Sequence, residues 1–241
     1  MHALSRKCRI LYSYIAIIIV IVSTVYFTNR INIETPTTQI ISRLKIKLPD
    51  PVYSSKISIE EALKRRRSAR EYNNEPITLH QISQLLWAAQ GITSPNGFRT
   101  APSAGALYPL HVYLGSANVK DLPSGIYRYL PTEHSLELLT TGDLRAPLAV
   151  AAFDQSSIKT AAAAIVIAAV YTRTTNKYGD RGSRFVAMEA GHASQNIYLQ
   201  AVSLKLETVA VGGFDDVIVK KIMNLPSDQS PLYIMPIGRM S

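Results

Sequence analysis

Three stretches of this chain hold the residue types that could do chemistry. Arg65-Arg66-Arg67-Ser68-Ala69-Arg70 sets guanidinium forks around one hydroxyl. Such forks pair bidentately with phosphate and a serine adds one more bond, so the run suits an anion unless it is only a solvated face. Pro102-Ser103-Ala104-Gly105-Ala106-Leu107-Tyr108-Pro109 gathers small side chains between two prolines; this is either an ordinary turn or a place where backbone can approach a flat ligand. Val211-Gly212-Gly213 carries the same two readings. No G-x-G-x-x-G and no P-loop occur, which argues against a built-in dinucleotide-binding Rossmann unit. One cysteine, Cys8, and five histidines without ligand spacing give neither a disulfide framework nor a metal site.

The elements that must position these stretches can be read in order. Ser58 with Glu61, and Thr78 with Gln81, predict two capped helices, the second closed by Gly91. Leu110 to Gly115 reads as a strand, and Gly125 to Leu130 with Ser135 to Leu139 as a hairpin. Leu144 to Ala152 reads as a short helix, and Ala161 to Tyr171 as a buried strand. From Asn176 a polar loop leads into a long helix on which Phe185, Met188, His192, Gln195, Leu199 and Val202 share a face. That helix is apolar nearly all round and is expected to be buried, so His192, Gln195 and Asn196 need hydrogen-bond partners in the core or on a ligand. A strand at Thr208 to Val211, a helix starting at Asp215 or Asp216 and a last strand through Leu232 to Ile237 complete an α+β domain over 54–241.

Ahead of that domain lie a basic tail (1–9), an uncharged apolar run (10–29) and a linker (30–53). The run has the length of a bilayer span and no small-x-small cleavage site follows, so it is expected to be a single-pass anchor rather than a cleaved signal. The bases before it place the domain on the non-cytoplasmic side. The formal charge is +9, but residues 1–51 hold seven Lys/Arg against two acids. The excess is therefore juxtamembrane, and no nucleic-acid partner is expected.

In order, R-R-S-A-R-E-Y, P-S-A-G-A-L-Y-P-L, K-Y-G-D-R-G-S-R-F with E-A-G-H-A-S-Q-N-I-Y-L-Q-A, and V-G-G-F-D-D resemble the nitroreductase-like flavoproteins, within them the SagB-type, azoline dehydrogenase-like branch. The resemblance spans roughly 54 to 240. It implies the nitroreductase-like FMN fold, a central mixed or antiparallel sheet flanked by helices, here preceded by the transmembrane helix. It implies FMN as cofactor, held by Arg66, Arg67, Ser68 and Arg70, by Ser103, Ala104, Gly105 and Ala106, by Gly212 and Gly213, and by Arg239 near the phosphate. It also implies a homodimer with FMN between subunits and the long helix at the interface.

Lys177 and Tyr178 match the Lys-Tyr pair that serves azoline oxidation in that branch. Aromatisation removes a hydride and a proton, and an ammonium beside a phenol stabilises the phenolate that can take the proton. The expected function is hydride transfer between a small organic or peptide-derived substrate and flavin N5, extending to azoline-to-azole dehydrogenation. The alternatives are an NAD(P)H-dependent nitro- or quinone-reductase and a non-catalytic flavin-binding membrane module. A non-cytoplasmic domain would meet neither a ribosomal precursor peptide nor NAD(P)H.

Overall fold

Seven consecutive buried residues, Ala163–Ala169, form the strand around which the rest is laid. The computed structural model describes residues 44–240. Side chains on a strand alternate between faces. Ala163, Ile165, Ile167 and Ala169 enter one apolar cluster, and Ala164, Val166 and Ala168 enter another on the opposite side. With both faces covered, every residue of the strand is apolar and the alternation seen in half-exposed strands disappears.

In chain order the elements are β1 (Lys45–Lys47), α1 (Ile59–Arg65), β2 (Tyr72–Asn73), β3 (Ile77–Thr78), α2 (Leu79–Gln90), a 3-10 turn (Ala104–Ala106), β4 (Leu110–Ser116), β5 (Val119–Lys120), β6 (Gly125–Leu130), β7 (Ser135–Thr141), α3 (Arg145–Ala151), α4 (Ser156–Thr160), β8 (Ala163–Ala169), α5 (Thr172–Tyr178), α6 (Arg181–Ser203), β9 (Glu207–Thr208), α7 (Asp216–Ile222) and β10 (Ser230–Met240). The main sheet runs β1-β7-β6-β4-β8-β10-β2, with β9 also on β10. Its pairings are antiparallel, and the parallel pair β3–β5 lies outside it. Helices α2 and α6 cover one face and α3, α4 and α7 the other.

The capping signals act as the sequence indicates. The Ser58 side chain accepts from the Glu61 N–H, and Thr78 with Gln81 closes a reciprocal box. Gly91 ends α2 for a different reason than a left-handed cap, since its φ is −63°; a Cβ there would lie 2.2 Å from the Trp87 ring.

Four expectations are corrected. The transmembrane helix expected at 10–29 lies outside the described residues, and among the described residues no helix is long and apolar enough to cross a membrane. The described fold is the α+β domain alone, and none of its helices supports the membrane-anchored, non-cytoplasmic localisation expected from that span. The stretch read as linker ends in a strand: β1 pairs with β7 and Leu48 is buried, an alternation of Lys45-Ile46-Lys47-Leu48 too short to stand out. The polar loop before the long helix is largely a helix, α5, closed by Gly179 at φ 58°. Its Thr-rich sequence has weak helix propensity, and packing supplies the rest: Thr174 is buried, and a Cβ on Gly182 would sit 2.7 Å from the Thr175 Cα, so only glycine lets α5 and α6 approach so closely. Finally, α6 buries Val186, Glu189, Ala190, Ala193, Ile197, Tyr198 and Ala201, whereas Met188, 52% exposed, and His192 face outward. Small side chains let it lie close on the sheet, so its buried stripe differs from the one that residue size suggests.

Candidate functional site

The basic run leaves α1 at Arg66, whose ψ of 125° turns the chain extended. Ala69 N–H donates to the Thr208 carbonyl (3.0 Å), which ties the run to β9, and Tyr72 then enters β2. Arg67, Ser68 and Arg70 are exposed. One Arg67 nitrogen donates to the carbonyls of Lys64 and Arg66, which fixes the direction of its guanidinium and leaves the remaining donors available.

Tyr198 of α6 joins this run to the glycine pair. Its hydroxyl accepts from the Ala210 N–H (2.7 Å) and pairs with Ser68 Oγ (3.0 Å), while the Arg66 guanidinium lies over its ring at 5.2 Å. Ala210 leads into Val211, held by a bridge to Ile234, and then into exposed Gly212 and Gly213. Nothing lies within 4 Å of a Cβ built on Gly213, so that backbone is open to a ligand.

The second constellation surrounds Gly105. The turn at 103–108 holds Gly105 (φ 64°), Ala106 (φ 53°) and Tyr108 (φ 46°) in left-handed conformations. Such a run persists only where its surroundings fix it. Ser103 Oγ accepts from the Tyr108 N–H (2.9 Å), Ala106 N–H donates to the Ser103 carbonyl (3.0 Å), and Arg173 donates to the Tyr108 carbonyl (3.1 Å). The side chains of Lys177 and Tyr178 come down on this turn. A Cβ on Gly105 would meet Tyr178 Oη at 2.7 Å and Lys177 Nζ at 2.9 Å. Lys177 Nζ is 5.5 Å from the Tyr178 ring centroid, and Phe185 of α6 holds that ring edge-on at 5.1 Å.

The structure therefore brings Ser103, Ala104, Gly105 and Ala106 together with Lys177 and Tyr178, and Arg66 and Ser68 together with the approach to Gly212 and Gly213. Arg239 makes its contacts elsewhere, with Pro76 (3.3 Å), Glu75 (3.5 Å) and Gln81 (3.5 Å). Of the three polar residues on the long helix, Asn196 donates to the Thr100 carbonyl (3.3 Å) while His192 is exposed.

Three residues escaped sequence reasoning. Tyr198 looks like one more apolar position in a buried stripe. Arg99 sits in an unpatterned loop, yet is folded inward, donating to Gln90 (2.7 Å) with its guanidinium 4.6 Å from the Tyr108 ring centroid. Glu189 is 2% exposed, beside the Ser103 hydroxyl, and burial pushes its carboxyl up to about 7 against the opposing pull of Ser103 and Arg99. An acidic residue between Met188 and Ala190 was the available signal. Nearby on β4, burial and the positive charges of Arg173, Arg128 and Arg99 push the His111 imidazole down to about 4.

The nitroreductase family model matches residues 63–239. The chain belongs to that family. It is 44% identical over 196 residues to a Methanocaldococcus jannaschii protein named "Putative nitroreductase", covering 81% of this chain and 96% of that one. It is 30% identical over 200 residues to the microcin B17-processing protein McbC of Escherichia coli, covering 78% and 74%, which supports the SagB-type branch. A nitroreductase-like crystal structure from Anabaena variabilis superposes with a TM-score of 0.74 at 29% identity; it covers 83% of this chain, which spans only 42% of that longer one.

Proposed function

We propose that this chain is an FMN-dependent oxidoreductase moving hydride between a small organic or peptide-derived substrate and flavin N5, with azoline-to-azole dehydrogenation as its specific reaction. The family supports the oxidoreductase class and FMN. The residues fit that group: three exposed side chains, Arg67, Ser68 and Arg70, offer donors to a phosphate, and the exposed backbone at Gly212–Gly213, open above Gly213, admits a flat ring. Along α6, Glu189 beside the turn and Tyr198 beside the basic run are nine residues or roughly 14 Å apart, a spacing that suits an elongated ligand. Bound FMN supplies the hydride acceptor. Arg66, Arg67, Ser68 and Arg70 bind its phosphate, with Tyr198 holding Ser68 in place.

The observation that carries the finer reading is the meeting of Lys177 Nζ and Tyr178 Oη over Gly105. There the Tyr178 oxygen takes the proton that azoline aromatisation releases, with the Lys177 side chain beside it. That the relative McbC is a microcin B17-processing protein favours a peptide-derived substrate. The open face of α6, with Met188 exposed and Phe185, Gln195 and Leu199 half-buried, supports a homodimer with the cofactor between subunits.

Purified protein should be yellow, with one FMN per subunit, and should reduce that flavin when given an azoline substrate. A colourless chain that cannot be reconstituted with FMN would sink the assignment. The second reading, an NAD(P)H-dependent nitro- or quinone-reductase, is favoured by the name of the 44%-identical relative. It predicts that NAD(P)H bleaches the bound flavin.

A further inference from the structure

Beneath the turn that carries Gly105 lies a polar layer with no place in the reaction as described. Glu189 projects from α6 into the interior, 2% exposed, and its Oε1 has no hydrogen-bond partner. Arg99, the cation nearest in charge, directs itself elsewhere: it donates to Gln90, lies over Tyr108, and its own Nε is unpartnered. A buried carboxylate without a bonded cation is costly, and a protonated carboxyl is the form such a pocket accepts. The side chain it lies beside is Ser103, whose oxygen already accepts the Tyr108 N–H that closes the turn.

We infer, resting on the flavin reading above, that Glu189 is a positioning residue for the reaction. Its carboxyl props the Ser103–Tyr108 turn from below, so that Lys177 and Tyr178 can meet over Gly105. A hydroxyl oxygen has two lone pairs and one proton. With its proton on, Glu189 donates to the Ser103 oxygen, whose other lone pair holds the Tyr108 N–H. With its proton off, the Ser103 hydroxyl must turn its own hydrogen to the carboxylate. A buried negative charge then faces the Arg99 guanidinium and draws it away from Gln90 and Tyr108. The turn, with Gly105, Ala106 and Tyr108 all at positive φ, loses one of the restraints that hold it. Burial places this change near neutral pH, at about 7. The other charged or titratable groups facing the layer are Tyr108, Tyr129, Arg173 and, next to Arg99, His111, with Lys177 and Tyr178 on the far side of Gly105. The Tyr129 phenol is pushed upward by burial, out of this range.

The test compares the full-length chain with Glu189→Gln, which keeps the shape and cannot ionise. Loaded with FMN, the wild type should show a change in the bound-flavin absorbance with a midpoint near 7, and Glu189→Gln should not. Without FMN, the melting temperature of Glu189→Gln should gain on that of the wild type as pH rises through that midpoint. Either transition persisting unchanged in Glu189→Gln overturns the proposal. Should Glu189→Gln fail to fold, Ser103→Ala serves instead. Because the hydroxyl holds the carboxyl down, its removal should move the midpoint upward, and an unmoved midpoint refutes the inference. A chain that never takes up FMN defeats the flavin assignment but leaves the melting experiment able to decide this one. A role confined to stability would alter the melting curves and leave the flavin transition in place.

Discussion

Two clusters of arginine and serine sit at the two ends of the Glu189-to-Tyr198 stretch of α6 and behave in opposite ways. At one end Arg66, Arg67, Ser68 and Arg70 lie at the surface, with Tyr198 as their anchor in the interior. At the other, buried Glu189 with half-buried Arg99 and Ser103 forms an inward layer under the Gly105 turn. The exposed cluster has spare donors and nothing to lose from solvent, so it can serve a ligand without being needed for folding. The inward layer is partly desolvated and must satisfy its polar groups within the protein, so folding and site geometry depend on it together. Chemistry at the turn is thus supported by groups that never touch a substrate.

The comparison predicts effects of different kinds. The largest falls on the pair above the turn: Tyr178→Phe should lower turnover by about 10²–10⁴-fold with FMN content and melting temperature unchanged, and retention of full rate would break the proposed base role. Next, Arg99→Ala should destabilise the chain by about 1–3 kcal/mol, because buried Gln90 loses the donor its side-chain oxygen accepts from; denaturant unfolding measures it. By contrast, Arg67→Ala should change stability by less than about 0.5 kcal/mol while weakening FMN binding by about 1.5–3 kcal/mol, read by fluorescence titration. If Arg67→Ala proved as destabilising as Arg99→Ala, the division into ligand-binding surface and structural interior would fail.

The smallest effect is a compensation in pH dependence. His111, pushed down to about 4, binds its proton more readily when unfolded, so its share of stability is lost as pH falls from about 6.5 toward 4. Glu189, pushed up to about 7, binds its proton more readily when folded, so its share is lost as pH rises from about 4.5 through 7. Between about 4.5 and 6.5 the two slopes oppose each other and the wild type should be nearly flat. Glu189→Gln should unmask the His111 slope and gain stability as pH rises across that interval, whereas a falling curve would mean that the pairing is misassigned.

Much of this was legible one residue at a time. The Thr78–Gln81 box, the uncharged stretch that became β8, the β6–β7 hairpin and the ordered motifs of the family are local patterns, because caps, alternation and turn residues act over a few positions. The same local reading failed at α5, where Thr and Asn are poor helix formers and the contact through Gly182 decides. It failed also at α6, where residue size pointed to one stripe and close packing of alanines selected another.

The sequence by itself determined the family and the central strand, since those depend on composition and order along the chain. Only the tertiary structure decided that Arg239 turns toward Glu75 and Pro76, that Lys177 and Tyr178 converge on a glycine some seventy positions earlier, and that Glu189 is sealed beside Ser103. The reason is physical. A side chain's type is fixed by the sequence, but its solvent, its neighbours and therefore its charge are set by what the fold places around it.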